Sequence, residues 1–226
     1  EIIIFLLSIL CLIISIFSPR VWLYDDIEQL DWWNILFITD ISKSMDVEDI
    51  TDKNYKISRL EAQKSIILDI IDKYSNNNYW LYWFSWEAVE LLPFTSDLGL
   101  FKTIISWVDK NNIWVYWSDF TKLFAWLKNY TDQIDSPTTF VILSDAWEIE
   151  NTVIPNDLQN ILKEKNIQIL FVWIGTEKWW KILDWVDFYW RPTYKMYDGE
   201  VVISKLNTQE VINISQKNNW DYIFLD

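Results

Sequence analysis

The sequence has no histidine, one cysteine and three glycines among its 226 residues. Without histidine, the chain lacks the usual general base, a Ser-His-Asp triad and the most common ligand of zinc and iron. Its single cysteine, Cys11, excludes a disulfide within the chain and a metal site built from several cysteines. These absences remove many of the common enzyme and metalloprotein classes.

Positive charge is also scarce. The chain has 19 basic and 33 acidic residues, which give a formal net charge of −14. Nucleic acids and anionic membrane surfaces attract proteins through excess positive charge, so bulk electrostatics cannot hold this chain on either. We therefore expect no nucleic-acid partner.

A long uncharged apolar run stands at the beginning of the sequence, at residues 2–18. Its length is at the lower limit for a helix that spans a bilayer. A signal peptide would have a basic start and a small-residue cleavage site, whereas a buried core helix would have a polar stripe. We therefore predict a single-pass anchor in the cell membrane within residues 1–20. Arg20 alone does not fix the side of the membrane on which the rest of the chain lies.

The most informative stretch, 34–45, joins an apolar strand to a polar loop. Residues 35–39 are apolar or β-branched, as in a strand buried on both faces, and Asp40, Ser42 and Ser44 follow. A loop that leaves the carboxyl end of such a strand is where α/β sheets bind ligands. Three oxygen-bearing side chains spaced by two could converge on Mg²⁺, although isolated serines there could equally make turn or cap hydrogen bonds.

The rest of the chain alternates short apolar strands with amphipathic helices. This pattern predicts an α/β fold, with a doubly wound, mostly parallel central sheet and helices on both faces. After an acidic linker at 21–33, we expect a single domain at 34–226. The predicted strands are 79–84, 89–92, 138–144, 168–174, 194–197, 200–203 and 222–225, and the predicted helices are 57–74, 97–108, 117–130, 156–165 and 208–217. Residues 46–55 read as a polar loop.

Several linked motifs resemble those of one family. The first is Asp40-Ile-Ser42-Lys-Ser44-Met45, followed by an acid-rich loop and Arg59-Leu60-Glu61 at the start of a helix. Phe84-Ser-Trp-Glu-Ala88 and Pro93-Phe-Thr-Ser-Asp97 come later. This pattern resembles the von Willebrand factor A (vWA) domains, and among them the membrane-anchored bacterial Bat-type, aerotolerance-associated group.

The resemblance implies a metal-ion-dependent adhesion site made of three loops. Asp40, Ser42 and Ser44 match the first loop, Ser118 the second and Asp145 the third. Such a site binds Mg²⁺ or Mn²⁺ and takes an acidic residue from a protein partner. Two further residues have other readings, since Thr121 suits a hydroxyl in the first turn of a helix and Glu148 suits a solvated loop charge.

Other function classes fit part of this pattern. A Mg²⁺-dependent phosphoryl-transfer enzyme could use Asp40 as its nucleophile, but such enzymes generally place a second carboxylate two residues on, where this chain has Ser42. A structural envelope protein with a degenerate site is the other alternative. We expect a non-enzymatic binding module.

Tryptophan is as abundant as glycine is rare. The chain has 17 tryptophans, whereas average usage would give roughly 16 glycines. Tryptophan stands where the family has glycine, although the two residues are opposite in size and backbone freedom. One hypothesis is that the source organism reads UGA as glycine, and the alternative is an aromatic binding face. We expect the affected residues to lie in turns or loops: Trp83, Trp86, Trp117, Trp147, Trp173, Trp179 and Trp180.

Overall fold

Strand β1, Asn34–Asp40, consists of seven buried residues and lies within a six-stranded sheet. Its side chains alternate between the two faces of the sheet, as the pleat requires. Ile35 and Phe37 belong to the hydrophobic core on one face, and Leu36 and Ile38 to the core on the other. The predicted burial of this strand on both faces is therefore confirmed.

The computed structural model describes residues 34–226 except 53–54, 110–117, 147–148 and 150–151. The main sheet has the order β14-β7-β6-β1-β4-β5, and each of its strand pairs is parallel except β4 with β5. The strands after β1 are β2 (Ile50–Asp52), β3 (Tyr55–Ile57), β4 (Asn78–Phe84), β5 (Ala88–Thr95), β6 (Thr138–Ser144), β7 (Ile167–Ile174), β8 (Trp180–Lys181), β9 (Leu183–Val186), β10 (Pro192–Tyr194), β11 (Met196–Tyr197), β12 (Glu200–Val201), β13 (Ile203–Ser204) and β14 (Asp221–Leu225).

Helices cover both faces of this sheet. They are α1 (Arg59–Lys73), α2 (Leu98–Trp107), α3 (Phe120–Thr131), α4 (Leu158–Glu164) and α5 (Thr208–Asn218). Helices α1 and α2 contribute Ile67 and Phe101 to one core, whereas α3, α4 and α5 contribute Phe124, Leu158 and Val211 to the other. The predicted α/β architecture with a mostly parallel sheet is confirmed.

Side-chain caps explain where several of these helices begin. Ser58, Asp97 and Asp119 each accept a hydrogen bond from the backbone N–H three residues later, which satisfies a donor that the first helical turn leaves free. Helix α3 begins at Phe120, three residues after the predicted start, because Asp119 is its cap.

Two regions differ from the sequence prediction. Residues 46–55 were expected to be a polar loop, but this region contains β2 and the start of β3, which pair as antiparallel strands. Between β7 and α5, the six short strands β8–β13 form three two-stranded sheets, where the sequence predicted two strands. The predicted strands 194–197 and 200–203 overlap β10–β13, so the prediction there was incomplete, whereas β2 and β3 were missed. Strands of two to four residues are too short to show a hydrophobic period.

The tryptophans also correct an expectation. Trp83, Trp173 and Trp180 lie within β4, β7 and β8, not in turns, and Trp173 is fully buried. Trp86 and Trp179 lie outside the strands and are 48% and 68% exposed. Trp117 and Trp147 lie outside the described residues.

The predicted anchor and linker, residues 1–33, also lie outside the described residues. Among the residues that are described, no helix has the length and apolarity needed to cross a membrane.

Candidate metal site

The carboxyl ends of β1 and β6 place the predicted ligands at one edge of the sheet. Asp40 is the last residue of β1, and Asp145 follows directly after β6. Because β1 and β6 are adjacent parallel strands, these ends lie side by side. Ser44 belongs to a 3₁₀ turn, Lys43–Asp46, that follows Ser42, and Ser118 immediately precedes the cap of α3.

Asp40 is the centre of a buried hydrogen-bond network. Its Oδ1 accepts from the backbone N–H of Ser42 at 2.8 Å and from the Ser118 hydroxyl at 2.9 Å. Its Oδ2 accepts from the Ser144 hydroxyl at 2.5 Å. The hydroxyl oxygens of Ser42 and Ser44 are 3.0 Å apart. The structure thus brings together four of the five predicted residues through direct hydrogen bonds.

The fifth residue, Asp145, faces a different set of contacts. Its Oδ2 accepts from Arg59 Nη1 at 2.6 Å and from the Ser204 hydroxyl at 3.3 Å. Burial and the negative charge of Asp145 raise the pKa of Asp40 from its ordinary 3.8 to about 6. Asp145 therefore acts on Asp40 through charge, and the two carboxylates share one buried region.

This donor set fits a hard divalent cation. Mg²⁺ and Mn²⁺ prefer oxygen ligands, and Asp40, Ser42, Ser44, Ser118 and Asp145 offer only oxygen. Two buried like charges repel each other, and a cation between them would relieve that cost. Within the described part of the chain, no three His, Cys, Asp or Glu side chains form a cluster that could hold a metal. The hydroxyls would therefore supply most of the ligands.

Sequence reasoning missed several residues of this site. Ser144 donates to Asp40, and Gln63 Nε2 donates to the backbone oxygen of Asp40 at 3.3 Å. Arg59 and Asp49 form a buried salt bridge next to Asp145. Arg59 and Asp49 stand in the helix-start motif and the acidic loop that carried the family resemblance, but sequence spacing gave no sign that they pair.

Of the two other candidate residues, the structure describes Thr121. The hydroxyl of Thr121, in the first turn of α3, accepts a hydrogen bond from the backbone N–H of Val153 at 3.0 Å. It is therefore engaged with a neighbouring loop. Glu148 lies outside the described residues.

Comparison with known proteins identifies the family. Residues 35–146, which contain all three predicted metal loops, match the family described as the von Willebrand factor type A domain. The chain carries a vWA domain. No curated protein matches its sequence.

Solved structures show the same fold. BatB from Bacteroides thetaiotaomicron, described as a conserved hypothetical protein, is 21% identical, with a TM-score of 0.68 over 86% of this chain and 90% of that one. An aerotolerance-related membrane protein from Bacteroides fragilis is 20% identical, with a TM-score of 0.66 over 86% and 92% of the two chains. Proximal thread matrix protein 1 of the mussel byssus, solved with a zinc-occupied MIDAS motif, is 15% identical, with a TM-score of 0.53 over 85% and 41%.

Proposed function

We propose that this chain is a membrane-anchored vWA module that binds a protein partner through Mg²⁺ or Mn²⁺. The observation that carries the proposal is the convergence of Ser42, Ser118 and Ser144 on Asp40, with the second carboxylate, Asp145, near enough to raise the pKa of Asp40. Asp40, Ser42, Ser44, Ser118 and Asp145 would hold the ion.

The partner's contribution follows from the charge of the ligand set. The five side chains would fill five of the six positions that octahedral Mg²⁺ prefers, so one position on the ion is left open for another carboxylate. An Asp or Glu side chain on the partner protein would complete the coordination. The module itself transfers no group and is not an enzyme.

Titration calorimetry with Mg²⁺ and Mn²⁺ tests the metal half of this proposal. The full chain should bind one ion, and Asp40→Ala should abolish binding while circular dichroism shows an unchanged fold. Asp46→Ala is the control, because Asp46 pairs with Lys43 and lies outside the ligand set. Equal affinity in the wild type and in Asp40→Ala would refute the site. If the wild type hydrolysed a phosphate ester and Asp40→Asn did not, the result would favour a phosphoryl-transfer enzyme instead.

The membrane anchor is supported by the uncharged run at residues 2–18 and by the similarity to the Bacteroides fragilis structure, which is that of a membrane protein. Carbonate extraction of membranes should leave the full chain in the pellet. Recovery of the chain in the soluble fraction would refute the anchor. A pull-down from the same membranes, with and without a chelator, should recover the partner only when the divalent ion is present.

A further inference from the structure

A single buried guanidinium links the candidate metal site to a carboxylate outside it. Arg59, the first residue of α1, is fully buried. Its Nε and Nη2 donate to the two oxygens of Asp49 at 3.0 and 2.7 Å. Its Nη1 donates to Asp145 Oδ2 and to the Ser204 hydroxyl, at 2.6 Å each. Four hydrogen bonds therefore fix the fork of Arg59 between two carboxylates.

The backbone of Gly175 lies close to the guanidinium of Arg59. A Cβ atom at Gly175 would lie 3.1 Å from both Cζ and Nε of Arg59, so only glycine lets the backbone pass there. Asp49 Oδ2 also accepts from the backbone N–H and the hydroxyl of Thr176, at 3.1 and 3.0 Å. Neither Asp49 nor Arg59 can turn away without breaking several hydrogen bonds.

The charges within this region can be counted. Asp40, Asp49 and Asp145 are at most 1% exposed, and so is Arg59. With every group ionised, these four side chains, which we call the buried ion cluster, carry three negative charges and one positive charge. The cluster then has a net charge of −2, which a divalent cation neutralises. A trivalent ion would leave an excess of buried positive charge, which is costly.

We propose that Asp49 and Arg59 set the charge of the metal site, and that Arg59 positions Asp145, so that the site discriminates a divalent cation from a trivalent one. This inference rests on the proposed function, since it presumes that the site binds a cation. Arg59 and Asp49 act through Asp145 and through charge and do not themselves contact the ion.

The test compares Mg²⁺ and Tb³⁺ affinities, measured by titration calorimetry on the full chain in detergent. Arg59→Gln should raise the ratio of Tb³⁺ to Mg²⁺ affinity about tenfold, whereas Asp49→Asn should lower it about tenfold, because Coulomb energies scale with the ion's charge. Both substitutions break the same salt bridge. Structural damage alone would therefore move the ratio in the same direction in both variants.

Two further variants separate charge from folding. Arg59→Lys keeps the charge but loses the bidentate fork, so both affinities should fall while the ratio stays at the wild-type value. The double variant Arg59→Gln/Asp49→Asn restores the net charge of −2 and should return the ratio to the wild-type value, even where Arg59→Gln alone does not fold. An equal ratio in the wild type and Asp49→Asn, or shifts of one sign in both single variants, would overturn the inference while the proposed function stands. Failure of the wild type to bind either ion would overturn both.

Discussion

Ser118 donates a hydrogen bond of 2.9 Å to Oδ1 of Asp40, across 78 positions of sequence. Two backbone hydrogen bonds near this contact keep the loops in place, from Ile41 to the Phe84 oxygen and from Asp119 to the Ser85 oxygen, each at 3.0 Å. The end of β4 thus supports both the loop after β1 and the start of α3. Because both loops are bonded to the end of β4, the Ser118 hydroxyl stays in contact with the Asp40 carboxylate.

The contact between Ser118 and Asp40 predicts that removing the Ser118 hydroxyl weakens Mg²⁺ binding more than removing the Thr121 hydroxyl does. Ser118→Ala should weaken Mg²⁺ binding roughly tenfold or more, as substitutions at metal-site partners do. Thr121→Ala should leave the affinity unchanged, because the Thr121 hydroxyl bonds to the backbone of Val153. Titration calorimetry measures both. If Thr121→Ala lost affinity and Ser118→Ala did not, Thr121 and not Ser118 would be the ligand from the second loop.

The raised pKa of Asp40 predicts how the stability of the metal-free protein depends on pH. Burial and the charge of Asp145 raise this pKa from 3.8 to about 6, so the folded state takes up a proton before the unfolded state does. The stabilisation is fully present below pH 3.8 and is lost as pH rises through about 6. Relative to Asp40→Asn, the wild type in chelator should therefore gain up to about 3 kcal/mol between pH 7 and pH 4. Urea denaturation of both proteins at each pH measures the difference, and a difference that is constant across this range would contradict the raised pKa.

Gly175 is predicted to be essential for the packing of Arg59. An added Cβ would lie 3.1 Å from the guanidinium, and the residue has a φ of +142°. Gly199 is the matched control, since its φ is +83° but no atom lies within 4 Å of an added Cβ. Gly199→Ala should cost roughly 1 kcal/mol of backbone strain, and Gly175→Ala should cost a further ~1–3 kcal/mol from overpacking. Equal losses in denaturant unfolding would mean that Arg59 moves aside freely.

The residue pattern alone predicted the sheet and three members of the site, Asp40, Ser42 and Ser44, for a physical reason, whereas Ser118 was expected only from the family resemblance. Apolar runs such as 138–144 and hydroxyls next to Asp40 are local patterns, and the edge of a parallel sheet brings such patterns together. Ser144, Gln63 and the Arg59–Asp49 salt bridge depend on which side chains meet across distant elements. Arg59 and Ser204 are 145 positions apart, and their spacing in the sequence does not indicate that they form a hydrogen bond.

Trp190 is the tryptophan whose backbone gives the strongest physical support to glycine recoding. Among the described residues, it is the one tryptophan with a left-handed φ, +61°, and its side chain is 87% exposed. It lies between β9 and β10, where its N–H donates to the backbone oxygen of Asp187 at 2.9 Å. A bulky residue is an outlier in this conformation, whereas glycine adopts it freely. We expect a UGA codon at 190, and glycine there in peptides of the native protein by mass spectrometry.

A stability measurement checks the same expectation independently. Trp190→Gly should stabilise the chain by about 1 kcal/mol by relieving the left-handed strain. Trp185→Gly, within β9 and 56% exposed, should instead destabilise it by about 0.5–1 kcal/mol, because glycine weakens a strand interior. A UGG codon and a native tryptophan at 190 would refute recoding there and favour an aromatic binding face.

We propose that the loops after β1 and β6 and the residues that precede α3 bind one divalent cation. Crystals of the protein soaked in Mn²⁺, with data collected at the manganese absorption edge, test this most directly. We expect one anomalous peak at bonding distance from oxygens of the set Asp40, Ser42, Ser44, Ser118 and Asp145, and no peak there in Asp40→Ala crystals soaked identically. A saturating soak that leaves this position without a peak, or that places manganese on other residues, would contradict it.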